Sequence, residues 1–258
     1  MTALSGPAAA VAPSHGRATV ATAHRVLDQL RHDRRTVAML LVVPVVLLVL
    51  FRYVFDASPA VFDRVGPLLL GLFPFITMFL VTSIAMVRER TSGTLERLLT
   101  TPLGRLDLLA GYALAFGVVG LVQATLAALV AVGPLGLDVA AGAPTMIVLA
   151  VLNALLGMAL GLFLSAFAST EFQAVQFMPA AVLPQVLLCG LLAPRAGMNA
   201  VLRWASDVLP LTWAVDGLDQ ARTSEAVTGT MVRDGLIVAG CIVAALALGA
   251  ATLRRRTP

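Results

Sequence analysis

The sequence predicts an all-α, polytopic membrane protein: six transmembrane helices, an N-terminal interfacial helix, a short cytosolic helix between the second and third spans, and short outer helices between the fifth and sixth. Three observations carry this. Of 258 residues, 59% are hydrophobic and 12% charged, against about 25% charged in an average soluble domain. The apolar residues gather into runs of the length a bilayer core requires of a helix, about 20 residues. The period-two alternation of a membrane barrel is absent.

Residues 1–19 are rich in Ala, Pro, Ser and Gly and lack the apolar core of about 7–15 residues that marks a secretory signal. They read as a disordered cytosolic tail, and 20–258 as a single transmembrane domain. Over 20–36, Ala23, Val26, Leu27 and Leu30 form one helical stripe, with His24, Arg25, Asp28, Arg31 and Arg34 around the rest. This fits a helix in the membrane interface or a solvated pre-membrane segment. Six spans follow, at about 37–54, 68–87, 106–132, 144–168, 174–192 and 235–253. The first carries Pro44 and ends near Arg52, which can snorkel to the interface. Residues 193–234 are too polar to span, yet Met198, Val201, Leu202, Ala205, Val208 and Leu209 recur at helical spacing. An amphipathic helix on the outer surface is expected there, interrupted by Pro210, with Trp204 and Trp213 at interfacial depth.

All 18 basic residues are Arg, and the formal net charge is +4. They flank apolar runs, and no basic patch interleaved with aromatics accompanies them, so anionic lipid and topology explain them better than nucleic acid. With the N-terminus inside, the cytosolic segments hold twelve Arg and the outer ones six, which places both termini in the cytosol. Short loops repeat the bias: residues 133–143 contain no Arg, whereas 88–105 contain four.

Several function classes are excluded or weakened. There is no phosphate-cradling Gly-rich loop ending in Lys and no spaced His or Cys set for a metal. Cys189 and Cys241 sit in apolar runs and read as packing residues, and His15, His24 and His32 precede the first span. Acids are missing from span centres, where an ion-driven carrier needs them. Asp107 and Glu171 lie at cytosolic span ends and Asp138 in an outer loop. Gln123, Asn153 and Gln185, with Thr77, Thr82 and Ser83, are the polar groups inside spans. Hydrogen bonds between membrane helices average about 0.6 kcal/mol, so their default role is to hold helices together, with substrate contact as the alternative. Gly157 to Gly161 has the small-xxx-small form that permits close helix approach.

The charged segment Arg88 to Leu99 stands apart. From Thr94, the residues Leu95, Leu98 and Leu99 fall on one helix face and Glu96, Arg97 and Thr100 on the other. One face can rest on membrane helices while the other meets a soluble partner; an ordinary positive-inside loop has the same charge. The run from Arg88 through Thr94-Leu-Glu-Arg97 to Pro102-Leu-Gly-Arg105 resembles the signature loop of type-2 permeases of ATP-binding-cassette exporters, particularly the daunorubicin-resistance branch. Glu171 to Pro179, Leu183-Pro-Gln185, Pro194-Arg195 and Leu209 to Asp216 resemble that family's fifth span and the outer segment after it. The chain departs from the pattern at Asn199, where Pro is frequent, at Trp213, where Tyr is common, and at Gln220, near a common Arg.

The resemblance implies a subunit with six spans that pairs with a second permease, as homodimer or heterodimer, and docks on separate nucleotide-binding subunits. These partners carry ATP and Mg, while this chain binds no cofactor and has no ATPase site of its own. Glu89, Arg90, Gly93, Thr94, Leu95, Glu96, Arg97 and Leu98 would form the coupling helix and its approach, Gly93 giving the chain freedom to turn. Gln123, Asn153, Gln176, Pro179, Pro184 and Gln185 are candidates for the substrate pathway or gate, the two prolines producing either a moving outer half or a static kink. The expected cargo is amphipathic or hydrophobic (a drug, polyketide or lipid), consistent with multidrug efflux and antibiotic resistance, across a bacterial plasma membrane. An ion-driven secondary carrier, a non-transporting scaffold and a membrane enzyme are the competing classes.

Overall fold

The computed structural model describes residues 15–93, 104–191 and 194–252. Nine α-helices account for most of them: α1 His15–His32, α2 Arg34–Val54, α3 Pro59–Thr91, α4 Arg105–Val132, α5 Gly142–Leu164, α6 Glu171–Leu188, α7 Ala200–Val208, α8 Pro210–Thr223 and α9 Gly229–Thr252. Short 3₁₀ turns occupy Ser165–Phe167 and Arg195–Gly197, and no strand occurs among the described residues.

The N-terminal region differs from expectation in boundary. Residues 15–19 are already helical rather than tail, and α1 stops at His32, short of residue 36. The cause is Asp33, whose carboxylate accepts from the Thr36 backbone N–H at 3.1 Å and from its hydroxyl at 2.6 Å. That cap ends one helix and begins the next, satisfying a donor at the first turn of α2. Ala18, Thr22, Ala23 and Val26 are buried, and α1 packs chiefly on α4. A Cβ on Gly111 would lie 2.5 Å from the Thr22 Cβ and 2.9 Å from the Thr19 carbonyl oxygen, so the two backbones nearly touch. The apolar stripe of Ala23, Val26, Leu27 and Leu30 is a protein contact.

Among the described residues, five helical segments are long and apolar enough to cross a membrane: Arg34–Val54, Pro59–Thr91, Leu106–Val132, Gly142–Phe167 and Gly229–Thr252. The expected sixth, at 174–192, corresponds to α6 and falls outside this group. It has 18 residues, about 27 Å at 1.5 Å per residue, and carries Gln173, Gln176, Gln185, Pro179 and Pro184. Two helices start earlier than predicted. α3 begins at Pro59, since Pro suits a first turn whose N–H groups have no helical partner, and α9 begins at Gly229, which brings Asp234 into the helix. Pro210 opens α8 rather than merely interrupting an amphipathic helix.

The helices form a bundle around α5, which packs against α3, α4, α8 and α9; α3 and α9 run parallel to it, Phe75 and Phe79 lying against Gly157 and Gly161, and Gly235 and Gly249 against Leu152 and Phe163. The α3–α5 seam is the tightest. A Cβ on Gly157 would overlap the Phe75 carbonyl, and one on Gly161 would overlap the Thr82 hydroxyl and the Phe79 carbonyl. Lipid tails are as apolar as Leu, so burial does not drive helices together in a membrane; close packing of small residues does. The Gly157 and Gly161 pattern works as its spacing predicts. Thr82 then bridges the seam, its hydroxyl 2.7 Å from the Met78 carbonyl and 3.2 Å from that of Met158.

Candidate functional site

At one end of the bundle, α3 leads into the charged segment through Gly93, whose φ of +72° is the left-handed turn that glycine adopts without strain. Thr94, Leu95, Glu96, Arg97 and Leu98, the expected coupling helix, lie outside the described residues. The root of that connector is well defined. Successive helical residues point about 100° apart, so Arg88, Glu89 and Arg90 reach three different neighbours.

Arg88 donates twice to Glu171, from Nε to Oε1 at 2.9 Å and from Nη2 to Oε2 at 3.0 Å, tying α3 to the first residue of α6. Glu89 turns inward, its side chain 12% exposed, and receives Arg25 Nη1 of α1 at 3.1 Å. Arg25 Nη2 donates to the Tyr112 hydroxyl of α4 at 2.7 Å, with the guanidinium 5.7 Å from the ring centroid. Arg90 donates to the carbonyls of Ser165 at 2.7 Å and Ala168 at 3.4 Å. Carbonyls at a helix C-terminus lack helical donors, and a cation there is favoured by the helix dipole. Glu89 and Arg90, grouped by sequence with partner-binding residues, thus engage groups of this chain. A groove of about 600 Å³ runs along α1, lined by Ala21, His24, Arg25, Asp28, Gln29 and His32.

The candidate pathway residues divide into two sets. Gln123 is buried and joins three helices, donating to the Leu40 carbonyl of α2 at 2.9 Å and the Thr77 hydroxyl of α3 at 2.5 Å. Asn153 is buried and donates to Leu149 in its own helix at 3.0 Å. Gln185 donates to the Ala181 carbonyl at 2.9 Å, and its Oε1 accepts from the Leu211 N–H at 3.3 Å at the start of α8. Gln123 and Gln185 thus hold helices together, whereas the hydrogen bond of Asn153 stays within α5. Gln176, Pro179 and Pro184 instead lie on the exposed side of α6 with Phe172, Val175, Leu183 and Leu187.

The opposite end holds a polar network that sequence reasoning missed. Arg195 pairs with Asp207 of α7 and with Asp216 of α8, the latter at 2.5 Å. Trp213 sits between two guanidiniums, 5.8 Å from that of Arg195 and 5.4 Å from that of Arg233, while its Nε1 donates to the Asp207 carbonyl at 3.0 Å. It is a wedge in a charged cluster, while Trp204 is 68% exposed. Asp234 is fully buried, accepting from Arg233 at 2.8 Å and from Gln220 Nε2 at 2.9 Å, and Gln220 Oε1 accepts from Thr228 at 2.9 Å. Burial pushes the Asp216 carboxyl above its ordinary range, against the pull of Arg195. The three departures from the resembled pattern all find work here. Asn199 caps α7 through the Val201 N–H at 3.0 Å, Trp213 separates the two Arg, and Gln220 links α8 to α9.

Comparison with known proteins agrees with this architecture. The chain is 27% identical over 162 residues to "Probable multidrug ABC transporter permease YbhR" of Escherichia coli, covering 63% of this chain and 44% of that protein. It is 29% identical over 140 residues to "Probable multidrug ABC transporter permease YbhS" of the same organism, covering 54% and 37%. It is 27% identical over 152 residues to "ABC transporter G family member 20" of Dictyostelium discoideum, covering 59% and 21%. The chain therefore spans less than half the length of each of these relatives. The family description "ABC-2 type transporter" matches residues 17–221, from α1 through the connector to α8. A multi-pass bundle of apolar helices with a charged connector after α3, matched over most of its length, belongs to the ABC-2 type transporter family.

Proposed function

We propose that this chain is the membrane-spanning subunit of an ATP-driven exporter, moving an amphipathic or hydrophobic cargo such as a drug, polyketide or lipid out of the cytoplasm. A separate nucleotide-binding subunit supplies the energy and holds ATP and Mg, and a second permease completes the pathway. The family assignment and the names of the multidrug relatives support this reading. One structural observation carries it further: three consecutive charged residues at the connector's root fasten α3 to α1 and α4, to the end of α5, and to α6. A displacement applied at the connector reaches most of the bundle through them.

In this reading the connector end is cytosolic, both termini are cytosolic, and α6 crosses the membrane despite its length. Its exposed face, with Gln176, Pro179 and Pro184, borders the pathway shared with the second permease. The daunorubicin-resistance branch remains the expected relationship. Moving a population from 1:99 to 99:1 takes about 5.5 kcal/mol of differential binding, more than a few surface ion pairs supply. The partner must therefore move the whole anchored connector.

The test is the double substitution Glu96→Ala with Arg97→Ala in the complex with its nucleotide-binding subunit. ATP hydrolysis and export are expected to fall together by about tenfold, the equivalent of 1.4 kcal/mol of coupling. Unchanged export would remove the assignment. Flux that follows an ion gradient without ATP would replace it with a secondary carrier.

A further inference from the structure

Arg25, Glu89 and Tyr112 form a cluster that stability alone does not explain. The three side chains come from α1, α3 and α4 and meet where the connector leaves α3. Tyr112 is 1% exposed, and the Glu89 and Arg25 side chains are 12% and 28% exposed. Glu89 Oε2 and Arg25 Nε are buried without a hydrogen-bond partner. A buried ion pair with unmet polar atoms stabilises a fold less than apolar side chains of similar volume. What such a pair does provide is a fixed register between elements, because each charge is left buried and uncompensated if its neighbour moves away.

The mechanical setting favours that role. Glu89 lies four residues before Gly93, the left-handed turn at which the connector departs. On the other side, Arg25 belongs to a helix whose backbone rests against α4 at Thr22 and Gly111. Two rigid parts are thus joined through one carboxylate, one guanidinium and one phenol. The exposed Arg88–Glu171 pair, with side chains 64% and 43% exposed, is solvent-screened and constrains α6 more weakly.

Building on the exporter reading above, we propose that Arg25, Glu89 and Tyr112 are positioning residues that make α1 and α4 move with the connector. Glu89 serves coupling through Arg25, not by touching the nucleotide-binding subunit. α1 is then a working lever of the transport cycle instead of a passive surface helix.

The test measures that movement directly. Spin labels are placed at Gln29→Cys on α1 and Ala226→Cys in the loop between α8 and α9, in a Cys189→Ala, Cys241→Ala background. The permease is assembled with its nucleotide-binding subunit in phosphatidylethanolamine–phosphatidylglycerol vesicles, and the distance is compared without nucleotide and with ATP plus vanadate. The unmodified cluster should show a shift of about 2 Å, the scale of helix displacements in switching proteins. Glu89→Gln and Tyr112→Phe should abolish the shift while the soluble subunit still co-purifies and hydrolyses ATP. The exchanged pair, Arg25→Glu with Glu89→Arg, should restore it, which a general folding defect would not allow. A shift of full size in Glu89→Gln overturns the proposal, as does loss of the soluble subunit from that variant, which would make Glu89 a docking contact. Absence of any nucleotide-dependent shift with the cluster intact also overturns the proposal, whereas export by the same vesicles that does not depend on ATP would instead refute the exporter reading on which it rests.

Discussion

At the scale of single residues, the structure separates groups that look alike in sequence. Gln123 and Gln176 are both glutamines in apolar surroundings, yet one joins three helices through two hydrogen bonds and the other lies on an open face. Composition cannot distinguish them, because burial depends on which face of a helix meets a neighbour. Gly157 is legible because its role is local spacing: residues four apart share a helix face. Its side-chain position is filled by the Phe75 carbonyl. Gly157→Leu should therefore force α3 and α5 apart and cost at least the roughly 1–3 kcal/mol typical of overpacking. A fall in apparent Tm of the detergent-solubilised protein checks this, with Gly240→Leu, which has open space around it, as a neutral control.

At the scale of elements, the errors of sequence reading cluster at helix starts. A last span from residue 235 is expected because 193–234 is too polar to cross, yet α9 starts at Gly229 and Asp234 is buried and bonded to Gln220 and Arg233. Polar residues can enter a helix when another element supplies their partners, and sequence does not show that element. The same network ties the 3₁₀ turn at Arg195 to α7 and α8. Arg195→Met should leave Asp216 and Asp207 without their cation and destabilise the α7–α8 region by about 1–3 kcal/mol, a range that allows for their partial exposure. The pH dependence has a definite sign. Burial holds the Asp216 carboxyl above its ordinary value, so its ionisation costs stability as pH rises from the usual carboxylate range through that raised value. Arg195 offsets part of this cost. The gap in Tm between Arg195→Met and the parent should thus narrow on going from pH 7.5 to pH 5; a gap that widens would reverse the assignment.

At the scale of the whole molecule, the arrangement puts two charged clusters at opposite ends of an apolar bundle. Arg88 to Arg90 root the connector at one, and Arg195, Asp216, Arg233 and Asp234 hold α7 to α9 at the other. If the connector faces the cytosol, then in the cysteine-free background Ser92→Cys should resist a membrane-impermeant maleimide in intact cells and react after permeabilisation. Glu225→Cys, in the far-end loop, should react from outside. The opposite pattern would invert the topology and leave no soluble partner able to grip the connector.

By itself, the sequence determined the fold class, the order of the helices and the place of the connector. These follow from local quantities: run lengths of apolar residues, helical periodicity and the distribution of Arg. Tertiary structure alone decided that α1 packs on α4, that Glu89 turns inward, and that Asp234 is buried. Whether a charge meets water, lipid or an opposite charge depends on contacts between residues far apart in the chain, such as Arg25 with Glu89 and Tyr112. Periodicity within one helix carries no record of them.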